Sequence, residues 1–296
     1  MEYNAQGLRI REKTLPLMIG VTLLIALFCA NLATAAGISA NTDPEAIADL
    51  RIAQGQNDIA EAWLIAPVTR YKHFVQGSNY EPGGVRLKMA DGRVLTLMLD
   101  AAYVFEDRQP RLADLDGDGK DEIILVLTAL DQGASLAAYA VEGDAITLKA
   151  KTPFVGQPYR WLNPAGIADF DGDGQLDVAL VAMPHLVKRL EFWTLGPKGF
   201  QKIGAVDDVS NHNNGSPFTG MAAVADIDHD GIADLAIPDG SRRFIRVISF
   251  AKGKVRDIAR LPLPFAANGT FSLRQQAEGY VLTVPMTGGE IAELKL

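Results

Sequence analysis

The chain has 296 residues, 48% of them hydrophobic, a formal net charge of −8, and a single cysteine. That apolar fraction excludes a disordered chain, and the acidic balance without any basic stripe excludes a nucleic-acid binder. With Cys29 alone, no intramolecular disulfide can form, so packing and bound metal are left to hold the fold.

The N-terminal segment reads as an export signal. Arg9, Arg11 and Lys13 precede an uncharged apolar run over residues 15–30, and Ala33-Thr34-Ala35-Ala36-Gly37 offers small residues for cleavage after Ala35 or Ala36. Residues 1–36 are therefore expected to be a signal peptide, and residues 37–296 a single domain, periplasmic or secreted. The alternative is an uncleaved membrane anchor over residues 15–36, since about 20 apolar residues span a bilayer. It would be the chain's one membrane contact. Cys29 follows the bulky Phe28, which argues against lipidation at that cysteine.

Next in chain order comes a repeat. Leu112-Ala113-Asp114-Leu115-Asp116-Gly117-Asp118-Gly119 returns as Ile167-Ala168-Asp169-Phe170-Asp171-Gly172-Asp173-Gly174 and as Val224-Ala225-Asp226-Ile227-Asp228-His229-Asp230-Gly231. The first aspartates stand 55 and 57 residues apart, and Arg51-Ile52-Ala53-Gln54 is a fainter copy without the acids. Runs rich in Val, Ile, Leu and aromatics follow each loop: 123–128, 135–141 and 145–151; 178–182, 190–195 and 200–206; 235–237, 244–250 and 255–261. Clusters of Gly, Asp, Asn and Pro separate them, as between strands.

Four strands per repeat of about 55 residues predict an all-β fold, a β-propeller of five blades starting near Ala46, Arg111, Ala165, Met221 and Thr270. A β-sandwich or a β-solenoid is the structural alternative. The last repeat, with strands at 280–285 and 290–296, holds only half a blade, and residues 38–54 are expected to complete it and close the ring. Residues 44–50 leave room for one short helical turn.

The loops carry the clearest chemistry. In Asp114-x-Asp116-x-Asp118-Gly119-x-x-Glu122 a tight turn can aim alternate carboxylates at one centre, and the glycine permits that turn. The expected ligands of three calcium ions are Asp114, Asp116, Asp118, Glu122 and the Lys120 carbonyl; Asp169, Asp171, Asp173, Asp177 and the Gln175 carbonyl; and Asp226, Asp228, Asp230, Asp234 and the Ile232 carbonyl. Hard oxygen donors favour calcium over zinc, and their flexible geometry favours it over magnesium. The last acid comes at the ninth position, and strand rather than helix follows, so these are not EF-hands.

The three segments resemble FG-GAP/VCBS-type repeats, the blades of integrin-α-like propellers. The resemblance rests on the Asp-x-Asp-x-Asp-Gly-x-x-Asp/Glu loops and the apolar strands after them, such as Asp177-Val178-Ala179-Leu180-Val181, and covers residues 105–240. It implies an exported propeller with calcium in its blades and a protein or carbohydrate ligand on one face. His229 stands where the other loops have Gly117 and Gly172, between ligand positions.

Outside the loops the signals are sparse. His73, His185 and His212 lie in loop-like settings and are candidates for acid–base work or metal binding, though satisfied loop histidines are the more common case. Trp161 beside Arg160 offers a stacking surface for a sugar or peptide ring, against the commoner buried tryptophan with its arginine paired to a loop acid. Arg242, Arg243 and Tyr71 join them if they face the same end. No nucleophile elbow, H-E-x-x-H or phosphate loop is present. A binding module is therefore expected before an enzyme, with a hydrolase or lyase using the loop histidines as the alternative.

Overall fold

The computed structural model describes Arg9–Ile10 and residues 43–296. The rest of the expected signal segment, with Cys29, lies outside the described residues. The remainder of the chain forms five antiparallel sheets in sequence order, a five-bladed β-propeller.

Blade one contains β2 (Ala53–Gln54), β3 (Ile59–Val68), β4 (Glu81–Met89) and β5 (Val94–Met98). Blade two contains β6 (Tyr103–Phe105), β7 (Arg111–Ala113), β8 (Glu122–Ala129), β9 (Gly133–Glu142) and β10 (Ala145–Lys151). Blade three runs β11 (Leu162–Ala168), β12 (Asp177–Ala182), β13 (Arg189–Gly196) and β14 (Gly199–Asp207). Blade four runs β15 (Ala223–Ala225), β16 (Asp234–Pro238), β17 (Phe244–Ser249) and β18 (Arg256–Pro262). Blade five has β19 (Ser272–Gln276), β20 (Gly279–Pro285) and β21 (Ile291–Lys295), and β1 (Arg9–Ile10) pairs along the free side of β21.

Burial follows position in the sheet. Every residue of β8 and of β16 is buried, because neighbouring blades cover both faces. The outer strand β10 keeps only Ile146 buried. Apolar clusters join blades one and two, two and three, three and four, and four and five. Among the described residues none spans blades five and one.

Two expectations need correcting. Residues 38–54 do not complete the last blade: Ala46 bridges to Ile65, and Ala53–Gln54 pairs with β3, so the described part of this segment belongs to blade one. The register explains this, since Ala53 faces Ala62 as Ala113 faces Glu122 in blade two. Residues 44–50 form turns around the Ala46 bridge and no helix.

The inner strand of blade two is interrupted. β6 pairs with the last residues of β8 and β7 with the first, so Glu106, Asp107 and Arg108 fall between the two short ladders. Strand alternation then sorts the connections into two ends. The three aspartate loops (β7–β8, β11–β12, β15–β16) lie at what we call the acid end. The β3–β4, β12–β13 and β16–β17 turns share the opposite, link end with the blade-to-blade links β10–β11, β14–β15 and β18–β19.

Candidate functional sites

The three aspartate loops share one internal design. The residue after the first aspartate is an apolar hook: Leu115 and Phe170 are fully buried and Ile227 nearly so. The ninth-position acid accepts a hydrogen bond from the hook's own backbone N–H, Glu122 from Leu115 at 2.8 Å, Asp177 from Phe170 at 3.2 Å and Asp234 from Ile227 at 2.9 Å. The first aspartate accepts from the turn glycine, Asp114 from Gly119, Asp169 from Gly174 and Asp226 from Gly231. Gly119, Gly174 and Gly231 all have positive φ, which a side chain would oppose.

Carboxylate oxygens converge in each loop to within 4.8 Å of one another, from Asp114, Asp116 and Glu122, from Asp169, Asp171 and Asp177, and from Asp226, Asp228 and Asp230. Three acidic clusters can therefore hold metal ions. Asp118, Asp173 and Asp234 stand outside these triads. Asp118 accepts from the Lys120 N–H, Asp173 from the Gln175 N–H, and Asp230 from the Ile232 N–H.

The donor set fits a hard cation. Asp226 Oδ1 and Asp234 Oδ1 are buried without a hydrogen-bond partner. Burial, with Asp171 and Asp173 nearby, pushes the Asp177 carboxyl up to about 7. Burial also raises Glu122 and Asp234. A divalent ion would satisfy these oxygens and reverse that crowding.

The loops differ in a way that spacing does not reveal. Lys149 Nζ, from β10, sits 2.5 Å from Asp116 and 2.7 Å from Glu122, so loop one already holds a cation of its own. In loop three, Arg256 pairs with Asp228 at 2.6 Å. Among the described residues, loop two has no such lysine or arginine partner. Gln175 of loop two instead donates to the carbonyls of Leu115 and Leu195.

The link end gathers the other candidates. His73 Nδ1 lies 2.6 Å from Glu106 Oε1, and the second oxygen of this fully buried carboxylate accepts from Thr128 Oγ1. The Glu106 carbonyl accepts from Trp161 Nε1 at 2.8 Å and from Gln76 Nε2 at 3.0 Å. His185 stacks on Trp161, His212 meets it edge-on, and the two imidazoles are 3.0 Å apart, Nε2 to Nδ1. Burial lowers both histidines to about 4, so both are neutral at pH 7. Tyr71 stacks on Tyr159, and its hydroxyl accepts from the Tyr159 N–H at 2.6 Å.

His73, His185 and Trp161 thus line one cavity of about 260 Å³, and His212 backs it. Trp161 is 2% exposed and offers no stacking face to a ligand. Arg160 donates to the Tyr159 carbonyl and pairs with no acid among the described residues, contrary to the expected arginine–acid contact. Arg242 donates to His212 O and Asn213 Oδ1 from the β16–β17 turn, at the same end. Arg243 shares that turn and reaches the Leu263 carbonyl. His229 stays in acid loop three, stacked near Tyr280.

Glu106 escaped the sequence reading because it follows an ordinary apolar strand and belongs to no motif. Behind it lies a polar interior that was equally hidden. Arg108 is buried with no hydrogen bond to its guanidinium, 3.7 Å from Asp49, and burial with Glu106 nearby pushes Glu81 up to about 9.

Comparison with known proteins places these loops in a described repeat. Residues 109–180, which include the first two acid loops, match the FG-GAP-like repeat. No curated protein matches the chain in sequence. Among solved structures, it is similar to a crystal structure of BBS1N in complex with ARL6DN, soaked with mercury, at 11% identity and a TM-score of 0.44, covering 83% of this chain and 64% of that one. It is also similar to the same complex soaked with lead, at 13% identity and a TM-score of 0.39, covering 71% and 57%. The chain spans less than two thirds of the length of either.

Proposed function

We propose that this chain is an exported, calcium-binding β-propeller whose link end binds a protein partner and whose acid loops are structural clips. The observation that carries the reading is the distribution of exposed apolar side chains. Phe74, Tyr159, Leu186, Val187, Phe218 and Phe265 all lie in link-end connections, and Leu186 is 62% exposed. Exposed apolar side chains gathered in the connections of one end suit protein contact. A carbohydrate partner has less support, because Trp63 and Trp161 are buried and Trp193 is partly covered.

The calcium assignment rests on oxygen-only donors, with Asp118, Asp173 and Asp234 and the carbonyls of Lys120, Gln175 and Ile232 completing the shells around the three triads. Export rests on the N-terminal charge and apolar pattern. Cleavage after residue 35 or 36 would remove β1 and leave the edge of β21 open, so the mass of the mature N-terminus separates a signal peptide from an anchor.

The partner reading is tested by site-specific photo-crosslinking. A crosslinker at Leu186 should trap one protein, competed by unlabelled chain, that a crosslinker at Lys120 does not trap. Equal trapping at both ends sinks it.

A second reading, a hydrolase or lyase, is favoured by the gathering of His73, His185 and His212 with Glu106. Its signature is a His73→Gln variant that still binds substrate but no longer turns it over.

A further inference from the structure

The link-end cavity has a definite chemical bias. In a chain of net charge −8, Arg86, Arg93, Arg111, Arg189, Arg246, Arg256 and Arg260 all sit on carboxylates. Arg160, which lines the cavity, and Arg242, which backs it through His212, find only carbonyl and amide oxygens. Arg242 Nε is buried without any partner. No aspartate or glutamate lines the cavity, and Glu106 lies fully buried behind His73. The polar wall therefore lacks an anion.

The imidazoles add direction. His212 Nε2 lies 2.9 Å from the Ser216 carbonyl, an acceptor, so Nε2 carries the proton and Nδ1 accepts. His185 must then donate through Nε2, and its remaining nitrogen, Nδ1, is an acceptor. On the other wall, His73 gives its Nδ1 proton to Glu106, so its Nε2 is an acceptor. Between these groups stand the apolar side chains of Met183, Pro184 and Leu186.

Backbone strain is concentrated here as well. Phe74, Tyr159, Met183, Lys188 and Arg242 all hold positive φ without being glycine, and all lie in the turns and links around the cavity. Such strain persists only where surrounding packing fixes it, and it gathers at ligand sites.

From these features we propose that the cavity binds a carboxylate carried on an apolar body with a neighbouring N–H. The matching ligand is the C-terminal residue of a polypeptide or a free N-acyl amino acid. Arg160 takes the carboxylate, His185 Nδ1 accepts the N–H, and Met183 and Leu186 cover the side chain. The volume, below the roughly 300 Å³ at which drug-sized sites begin, admits one residue of this kind. The proposal deepens the partner reading, since a chain terminus is what a protein partner would insert.

Isothermal titration calorimetry with three probes tests it: N-acetylphenylalanine, its carboxamide, and a short peptide ending in phenylalanine. The acid and the peptide should bind, and the carboxamide should bind at least about tenfold more weakly, as should the acid to Arg160→Gln. Among the described residues the Arg160 side chain hydrogen-bonds to a neighbouring carbonyl and to nothing else, so this variant should keep the parent melting temperature. Equal binding of acid and carboxamide, or no binding of either acid or peptide, overturns the proposal. Binding of the free acid without the peptide keeps the cavity assignment and removes the partner reading at this end.

Discussion

The two ends of the blades are built on opposite principles. At the acid end the contacts that shape each loop are local, closing within its nine residues as when Asp177 accepts from Phe170, while Lys149 and Arg256 reach in from 27 and 28 residues away. At the link end they are distant: His185 meets His212 across 27 residues, His73 meets Glu106 across 33, Trp161 reaches Glu106 across 55 and Tyr159 reaches Tyr71 across 88. The charge differs too, with converging carboxylates at one end and, at the other, the guanidiniums of Arg160 and Arg242 meeting carbonyl and amide oxygens. A local device can be copied from blade to blade; a site assembled from four blades occurs once.

The comparison can be broken by mutation, and the largest effect is expected at a hook. Phe170→Ala removes a side chain packed on Phe192, itself stacked on Phe250, and should cost about 3–5 kcal/mol in denaturant unfolding. Phe74→Ala at the exposed link rim should change stability by less than about 0.5 kcal/mol. If the two are equal, the acid loops are not anchored from the core.

Acid should act on the link end. His185 and His212 titrate near 4 in the folded chain against 6.5 when unfolded, so the unfolded chain takes up protons first. Stability should therefore fall as pH drops from 6.5 toward 4 and be unaffected by this pair above 6.5. The loss should reach about 3 kcal/mol for the coupled pair. Arg242, His73 and Lys188, which act on His185, all push in the same direction. A His212→Asn variant whose melting temperature keeps the parent's slope through this window would refute the assignment.

Calcium should act on the acid end, and unequally. Chelation should lower the melting temperature and calcium restore it, with loop two contributing about 2.7 kcal/mol at a hundred times its Kd. Asp171→Asn should remove most of that response. The smallest effect belongs to loop one. Lys149→Met should cost about 1 kcal/mol without calcium, by leaving Glu122 buried and unpaired, and added calcium should restore it. Indifference to calcium in this variant would mean that loop one binds no ion.

The legibility of the sequence follows the same division. The strand pattern, the five repeats and the loop carboxylates come from short-range periodicity, so β8, β9, β10, β12 and β13 fall within two residues of the expected runs. In blade one, Pro82-Gly83-Gly84 has the composition of a turn, yet it belongs to β4 and pairs with β3 and β5. Lys149 lies in the run 145–151, which the sequence marks only as strand, yet it fills a loop 27 residues earlier. The histidines were visible only as candidates. Glu106, the carboxylate that fixes His73, carried no signal, since its role depends on an interrupted inner strand that sequence does not announce.

The junction between the first and last blades has a mechanical consequence. Four apolar clusters weld the blades in series, whereas among the described residues no such weld joins blade five to blade one. Among the described residues the blades are thus joined as a split washer rather than as a rigid hoop. Sub-global opening should be easiest at that seam, and amide exchange should run faster along β19–β21 than along β8 or β12. The histidine cavity lies within the welded arc, lined from His73 in blade one to Asn214 in the link between blades three and four. It can keep its shape while the seam opens and closes.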